Sequence, residues 1–215
     1  MTGAELFARE LRAHGVEWVS TLCGHGLDPL FEACLRAGLR LVDTRNEQAA
    51  SYIADACGKL TRRPGVVAVS SGVAHVNALA GLTNAHFDGA PMLLVSGAAA
   101  LATMGRGHFQ DLDQVALAAP VSKSARLIDR AERIPEMVAQ AFETAVAPRP
   151  GPVHLTFPMD VQRAEIEVPP ATPPRRERSE PVSAPPVLPD AERPLLVAGS
   201  GVFYAGQSEA LARFC

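Results

Sequence analysis

A chain of 215 residues, 47% hydrophobic and 20% charged, is long enough to bury one substantial core and to begin another. Its net charge of -3 supplies no basic field to attract nucleic acid or an anionic membrane, and the tight basic group Arg175, Arg176 and Arg178 sits in a Pro-rich stretch that reads as solvated linker. No apolar run reaches membrane-spanning length, and Glu5, Arg9, Glu10 and Arg12 interrupt the N-terminal segment, so a cytoplasmic protein with neither span nor signal peptide is expected.

Thr2-x-x-Glu5 has the form of a capping box and opens a helix that Gly15 ends. Trp18 to Leu22 is predicted as a short buried strand, followed by a Gly24-His25-Gly26 turn and an amphipathic helix from Asp28 to about Ala37, closed by Gly38. Leu39 to Val42 is the next strand, about Asn46 to Leu60 a helix, Val66 to Val69 a strand, Val76 to Phe87 a helix and Met92 to Val95 a strand. Ala98 to Leu117 has no strand periodicity and is predicted as a loop leading into a short helix, the kind of segment that often carries function. Ile134 to Val146 is a helix, which Pro148-Arg149-Pro150-Gly151-Pro152 stops before the strand Val153 to Phe157. Consecutive apolar strands joined through helices predict a doubly wound α/β fold, its mainly parallel sheet covered by helices on both faces.

Pro169 to Pro194 holds nine of the eighteen prolines, a composition that favours an extended interdomain linker. The expected organisation is therefore a domain at 1–168, a linker at 169–194, and at 195–215 the start of a second α/β domain. That start comprises a strand Leu195 to Ala198, a turn Gly199-Ser200-Gly201 and a helix Gln207 to Cys215. One strand and one helix bury no core of their own, so the chain is expected to be the front part of a longer protein.

Cys23, Cys34, Cys57 and Cys215 form no CxxC pair and are expected to be reduced, mostly buried thiols. The glycine turns at Gly24, at Gly72 and at Gly199 do not complete a dinucleotide fingerprint: Tyr204 stands where the third would need its last glycine, and no P-loop lysine follows any of them. Ser70, Ser71 and His75 lack the GxSxG context of a nucleophilic serine, and the histidines form neither HExxH nor HxH, so no metal site is expected. Glu47 is the most informative residue. It follows a strand at the carboxyl edge, where α/β proteins place ligands. Thr44-x-x-Glu47 also fits a capping box with Glu47 at N3, and spacing leaves both roles open.

The run Arg45-Asn46-Glu47-Gln48-Ala49-Ala50 resembles the Arg-His-Glu-Gln-Ala-Ala motif of thiamine diphosphate-dependent enzymes of the acetolactate synthase-like group. Other landmarks follow in the same order. Gly24-His25-Gly26-Leu27-Asp28-Pro29-Leu30 is similar to their first glycine loop, and Ser71-Gly72-Val73-Ala74-His75-Val76-Asn77 to Ser-Gly-Pro-Gly-x-x-Asn. Asp88-Gly89-Ala90-Pro91-Met92 resembles Asp-x-x-Pro-hydrophobic, Phe109-Gln110-Asp111 resembles Phe-Gln-Glu, and Pro120-Val121-Ser122-Lys123 resembles Pro-Val-Thr-Lys. Arg149-Pro150-Gly151-Pro152-Val153 with Phe157-Pro158-Met159-Asp160-Val161 resembles the domain-closing strand.

The resemblance covers residues 1–168 and implies an N-terminal pyrimidine-binding domain for thiamine diphosphate. It implies that Glu47 hydrogen-bonds N1' of the aminopyrimidine and promotes proton removal from the thiazolium C2. Gly24, His25, Gly26, Gly72 and Asn77 would shape the cofactor pocket, while Gln110, with Phe109, would face the substrate side. The implied reaction is decarboxylation and carboligation of a small 2-keto acid. A 2-hydroxyacyl-CoA lyase-like or simple decarboxylase reaction is the alternative, as is a non-catalytic half-site subunit. The magnesium and diphosphate ligands of this group lie in a domain expected beyond Cys215, so the 215 residues alone are expected to be inactive. FAD and coenzyme A sites in such enzymes lie mainly in the central domain, so FAD is possible but not indicated. A homodimer or tetramer is implied for the intact enzyme. Three departures stand out: Asn46 for His, Val73-Ala74 for Pro-Gly, and Asp111 for Glu.

Overall fold

The computed structural model describes residues 1–167 and 190–215, which divide into two units. In the first, α1 (Gly3–Ala13) opens on Thr2, whose hydroxyl accepts the Glu5 amide while the Glu5 carboxylate accepts the Thr2 amide, the expected capping box. There follow β1 (Trp18–Leu22), α2 (Asp28–Arg36), β2 (Arg40–Asp43), α3 (Glu47–Thr61), β3 (Gly65–Val69), α4 (Val73–Asp88) and β4 (Met92–Ala98). α5 (Gln114–Ala118), β5 (Ser124–Leu127), α6 (Ile134–Val146), β6 (Pro152–Pro158) and α7 (Met159–Arg163) complete the unit.

Among the described residues the strands form one six-stranded sheet in the order β2-β1-β3-β4-β6-β5, parallel at every pairing. Side chains alternate across a strand, so Val66, Ala68, Leu93 and Val95 pack with α1, α2 and α6 on one face. Val67, Val69, Met92 and Leu94 pack with α3 and α4 on the other. The fold is therefore the predicted doubly wound one, and the continuous apolar runs of β3 and β4 follow from burial on both faces. Phe7 of α1 stacks on Phe157 of β6 with centroids 5.0 Å apart and both rings buried. Burial of such a side chain contributes about 1.5–3 kcal/mol.

Four departures from the expectations stand out. β5 was not anticipated: among the described residues it is a half-buried edge strand paired only with β6, and Arg126 within it breaks the apolar run that marks a central strand. α4 begins at Val73 rather than Val76, because Gly72 turns the chain immediately after β3 and its carbonyl already accepts the Val76 amide. Of the four cysteines, all free, only Cys34 is buried; Cys23 lies where β1 gives way to the edge loop and is exposed, as is Cys215, so the expectation of mostly buried thiols is corrected.

The fourth departure concerns the second unit. Leu195 to Ala198 does not form a strand, and Leu195 and Val197 are exposed. A strand needs a neighbour for its amides and carbonyls, and none is present there among the described residues. Gly199 instead caps α8 (Ser200–Tyr204), so the predicted turn is a helix start, and α9 (Ser208–Phe214) follows. The predicted linker, with Arg175, Arg176 and Arg178, lies outside the described residues except for 190–194.

Candidate functional site

The chain leaves β1 toward β2 on one side of the sheet and returns to β3 on the other, which makes the carboxyl ends of β1 and β3 a topological switch point. The loops there are stitched together. The His25 carbonyl accepts the Ser70 hydroxyl and, at 3.4 Å, the Ser71 amide. Gly26 and Gly97 approach so closely that a Cβ on Gly97 would stand 2.6 Å from the Gly26 carbonyl oxygen. Buried Gln162 donates to the Gly26 carbonyl at 2.6 Å and to that of Phe157 at 2.8 Å, tying the first glycine loop to β6.

Glu47 does not occupy the N3 position of a capping box. Thr44 turns instead to β1, its amide and hydroxyl donating to the Thr21 carbonyl at 2.9 and 3.0 Å. Its hydroxyl also reaches the Asn46 carbonyl at 3.0 Å, and Asn46 is the N-cap, its Oδ1 accepting the Gln48 amide at 2.7 Å. Glu47 is thus the first helical residue. Ser20 of β1 pins that first turn, donating to the Ala50 carbonyl at 2.8 Å and to the Val66 carbonyl of β3 at 3.2 Å. Glu47 is half-buried, and its Oε2 accepts Asn77 Nδ2 at 2.9 Å, while no described residue donates to Oε1. A carboxylate at a helix start is favoured by the helix dipole, and this one keeps an oxygen for a proton or an N–H outside the chain.

The other resemblance-assigned residues gather around the start of α4. Gly72 has φ 57°, and a Cβ there would lie 2.6 Å from Gln110 Cβ, so the close approach requires glycine. Gln110 itself sits at φ 59°, a conformation uncommon for a residue with a side chain, and its Oε1 accepts the Ser71 hydroxyl at 2.8 Å. Phe109 is exposed and meets His25 edge-on at 5.9 Å. The Asp111 carboxylate accepts the Gly107 amide at 3.1 Å, and backbone amides from Gly105 through His108 hold it below the usual carboxylate range. The shorter carboxylate therefore orders its own loop. Of the remaining departures, Asn46 caps α3, and Val73-Ala74 forms the first turn of α4 with Val73 exposed and Ala74 buried.

Two features escaped sequence reasoning. Gln114, buried at the head of α5, accepts the Gly72 amide and donates to the Gly97 carbonyl, both at 2.9 Å. Its visible signal is a polar residue four positions before Ala118 on the buried side of a short helix. Beneath it, Ser96 Oγ joins His75 Nδ1 at 2.8 Å and His154 Nε2 at 3.2 Å, the two rings 4.7 Å apart and buried. Burial pushes His75 down to about 4, opposed by the Gln114 backbone, and burial with the neighbouring His75 pushes His154 well below the ordinary imidazole range. Both rings are neutral at pH 7. Among the described residues no group of three or more His, Cys, Asp or Glu is placed to hold a metal ion.

Comparison with known proteins adds an independent line. Residues 1–117 match the family described as "Thiamine pyrophosphate enzyme, N-terminal TPP binding domain". The chain is 40% identical over 158 residues to "2-hydroxyacyl-CoA lyase 2" of Danio rerio, covering 74% of this chain and 25% of that protein. It is 32% identical over 225 residues to "Probable acetolactate synthase large subunit" of Methanocaldococcus jannaschii, covering 99% of this chain and 38% of that protein. To "Acetolactate synthase large subunit IlvG" of Mycobacterium tuberculosis it is 32% identical over 223 residues, 99% of this chain and 40% of that protein. The chain thus spans between a quarter and two-fifths of the length of these relatives.

Proposed function

Because the chain belongs to the thiamine pyrophosphate enzyme family, through its N-terminal TPP-binding domain, we propose that it supplies the aminopyrimidine side of an acetolactate synthase-like site that decarboxylates a small 2-keto acid and joins the product to a second carbonyl. The single observation that carries this reading is the Asn77-anchored Glu47 carboxylate, with Oε1 left without a partner among the described residues. Thiamine diphosphate, when bound, supplies an acidic carbon and an electron sink for decarboxylation and carbon–carbon bond formation. Glu47 Oε1 would be the oxygen to share a proton with N1' of the aminopyrimidine, while Asn77 holds the other carboxylate oxygen so that the acid keeps its orientation. Gly24, His25, Gly26 and Gly72 lie on the loops that would shape the pyrimidine pocket, and Gln110 with Phe109 would face the substrate side. Among the described residues no acidic or histidine cluster is placed to hold a metal ion, so magnesium and the diphosphate would need ligands from elsewhere.

The intact enzyme is read as a homodimer or a tetramer. The support is a pair of apolar stripes on neighbouring helices, Tyr52, Ala56 and Leu60 on α3 and Val73, Val76 and Phe87 on α4, all exposed. A second reaction, 2-hydroxyacyl-CoA lyase chemistry, is favoured by the higher identity to the zebrafish protein of that name. Turnover of pyruvate against a 2-hydroxyacyl-CoA by the full-length protein separates the two.

Glu47→Gln in the full-length protein tests the assignment. Glu47 is the first helical residue, so the substitution removes only a favourable charge at the helix start, about 0.3–1 kcal/mol. Hydrogen–deuterium exchange at C2 of bound thiamine diphosphate is expected to slow by ~100- to 10,000-fold, the usual span for loss of a positioned acid or base. Unchanged exchange with the cofactor still bound would remove Glu47 from the chemistry.

A further inference from the structure

Gln114 is 3% exposed and belongs to none of the motifs that carry the family resemblance. Both ends of its amide are engaged: Oε1 accepts the N–H of Gly72, the N-cap of α4, and Nε2 donates to the carbonyl of Gly97 near the end of β4. Asp113, with Oδ1 accepting the Ala116 amide at 2.9 Å, caps α5 and holds Gln114 at its first position. One side chain therefore clamps two neighbouring strand ends, and both lead into the candidate site. Gly97 is packed on Gly26, and Gly72 launches the helix that carries Asn77, the residue that grips Glu47.

We propose that Gln114 is a positioning residue, which sets the start of α4 and through Asn77 the orientation of the Glu47 carboxylate. This inference rests on the proposed role of Glu47 toward the aminopyrimidine. A carboxylate that must meet one ring nitrogen tolerates displacement poorly, since a shift of ~1 Å at a reacting centre costs ~100-fold in rate. Gln114→Leu removes both hydrogen bonds at similar volume. Gln114→Glu keeps an acceptor for Gly72 but, while ionised, sets a second oxygen against the Gly97 carbonyl; protonated, it regains the donor.

The test uses the full-length protein with thiamine diphosphate and magnesium, and reads cofactor affinity by calorimetry together with C2 exchange. Gln114→Leu is expected to slow exchange ~10- to 100-fold and to weaken thiamine diphosphate binding. The same change in a Glu47→Gln background is expected to add little, because both act through one contact. In Gln114→Glu, affinity and exchange relative to wild type should recover as pH falls through the introduced carboxyl's titration, a recovery that also decides the matter should Gln114→Leu fail to fold. Additive losses in the double variant, or a Gln114→Glu protein whose exchange tracks wild type at every pH, would overturn the positioning role alone. A silent Glu47→Gln would overturn the proposed function and this inference with it.

Discussion

Acidification should act on this protein through His75. The ring is buried between α4 and the sheet, facing Ser96, His154 and the backbone of Gln114, with a pKa of about 4 against the ordinary 6.5. Because the folded value lies below the unfolded one, the unfolded chain takes up its proton first as pH falls. The associated stability is complete above about pH 6.5 and is lost on the way down to about 4. Complete titration of this ring is worth about 3 kcal/mol, of which about 2 kcal/mol is lost between pH 7.5 and 5. His154 acts in the same direction. His75→Asn removes the titration while leaving a polar group near Ser96. Thermal melting at pH 7.5 and pH 5 should then show a smaller acid-induced drop in the variant, by ~4–8 °C, given ~2–4 °C per kcal/mol for a chain of this size. Parallel pH curves for wild type and variant would refute the burial argument.

Gly72→Ala forces a Cβ against Gln110 at a backbone angle that favours glycine, and is expected to cost ~1–3 kcal/mol in a thermal melt. An unchanged melting temperature would mean that the Gln110 loop does not pack there. Native alkylation with iodoacetamide at pH 8 should spare Cys34, whose buried thiol is pushed up to about 12, and modify exposed Cys215. Cys23, raised by partial burial and by Asp28 and Asp43, should react more slowly than an ordinary exposed thiol, and early label on Cys34 in a peptide map would contradict its burial.

Much of the architecture was legible in the sequence because it depends on local periodicity. Trp18–Leu22 and Ile134–Val146 are where apolar spacing and breakers place them, and runs such as Val66 to Val69 announce a sheet buried on both faces. β5 escaped because an edge strand buries too little to require an apolar run. The resemblance singled out Glu47, Asn77, Gly72 and Gln110 as the candidate site. What it left open was how they are held. Thr44 and Asn46 both carry capping side chains, and the choice fell to Asn46 because Thr21, on a strand formed earlier in the chain, takes the Thr44 hydroxyl. The Asn77–Glu47 bond spans 30 residues and the Gln114–Gly72 bond 42, so neither leaves a trace in local spacing. Element type follows from which side chains recur on one face. The orientation of the Glu47 carboxylate follows from which partners the closed sheet brings within about 3 Å, and only the folded chain decides that.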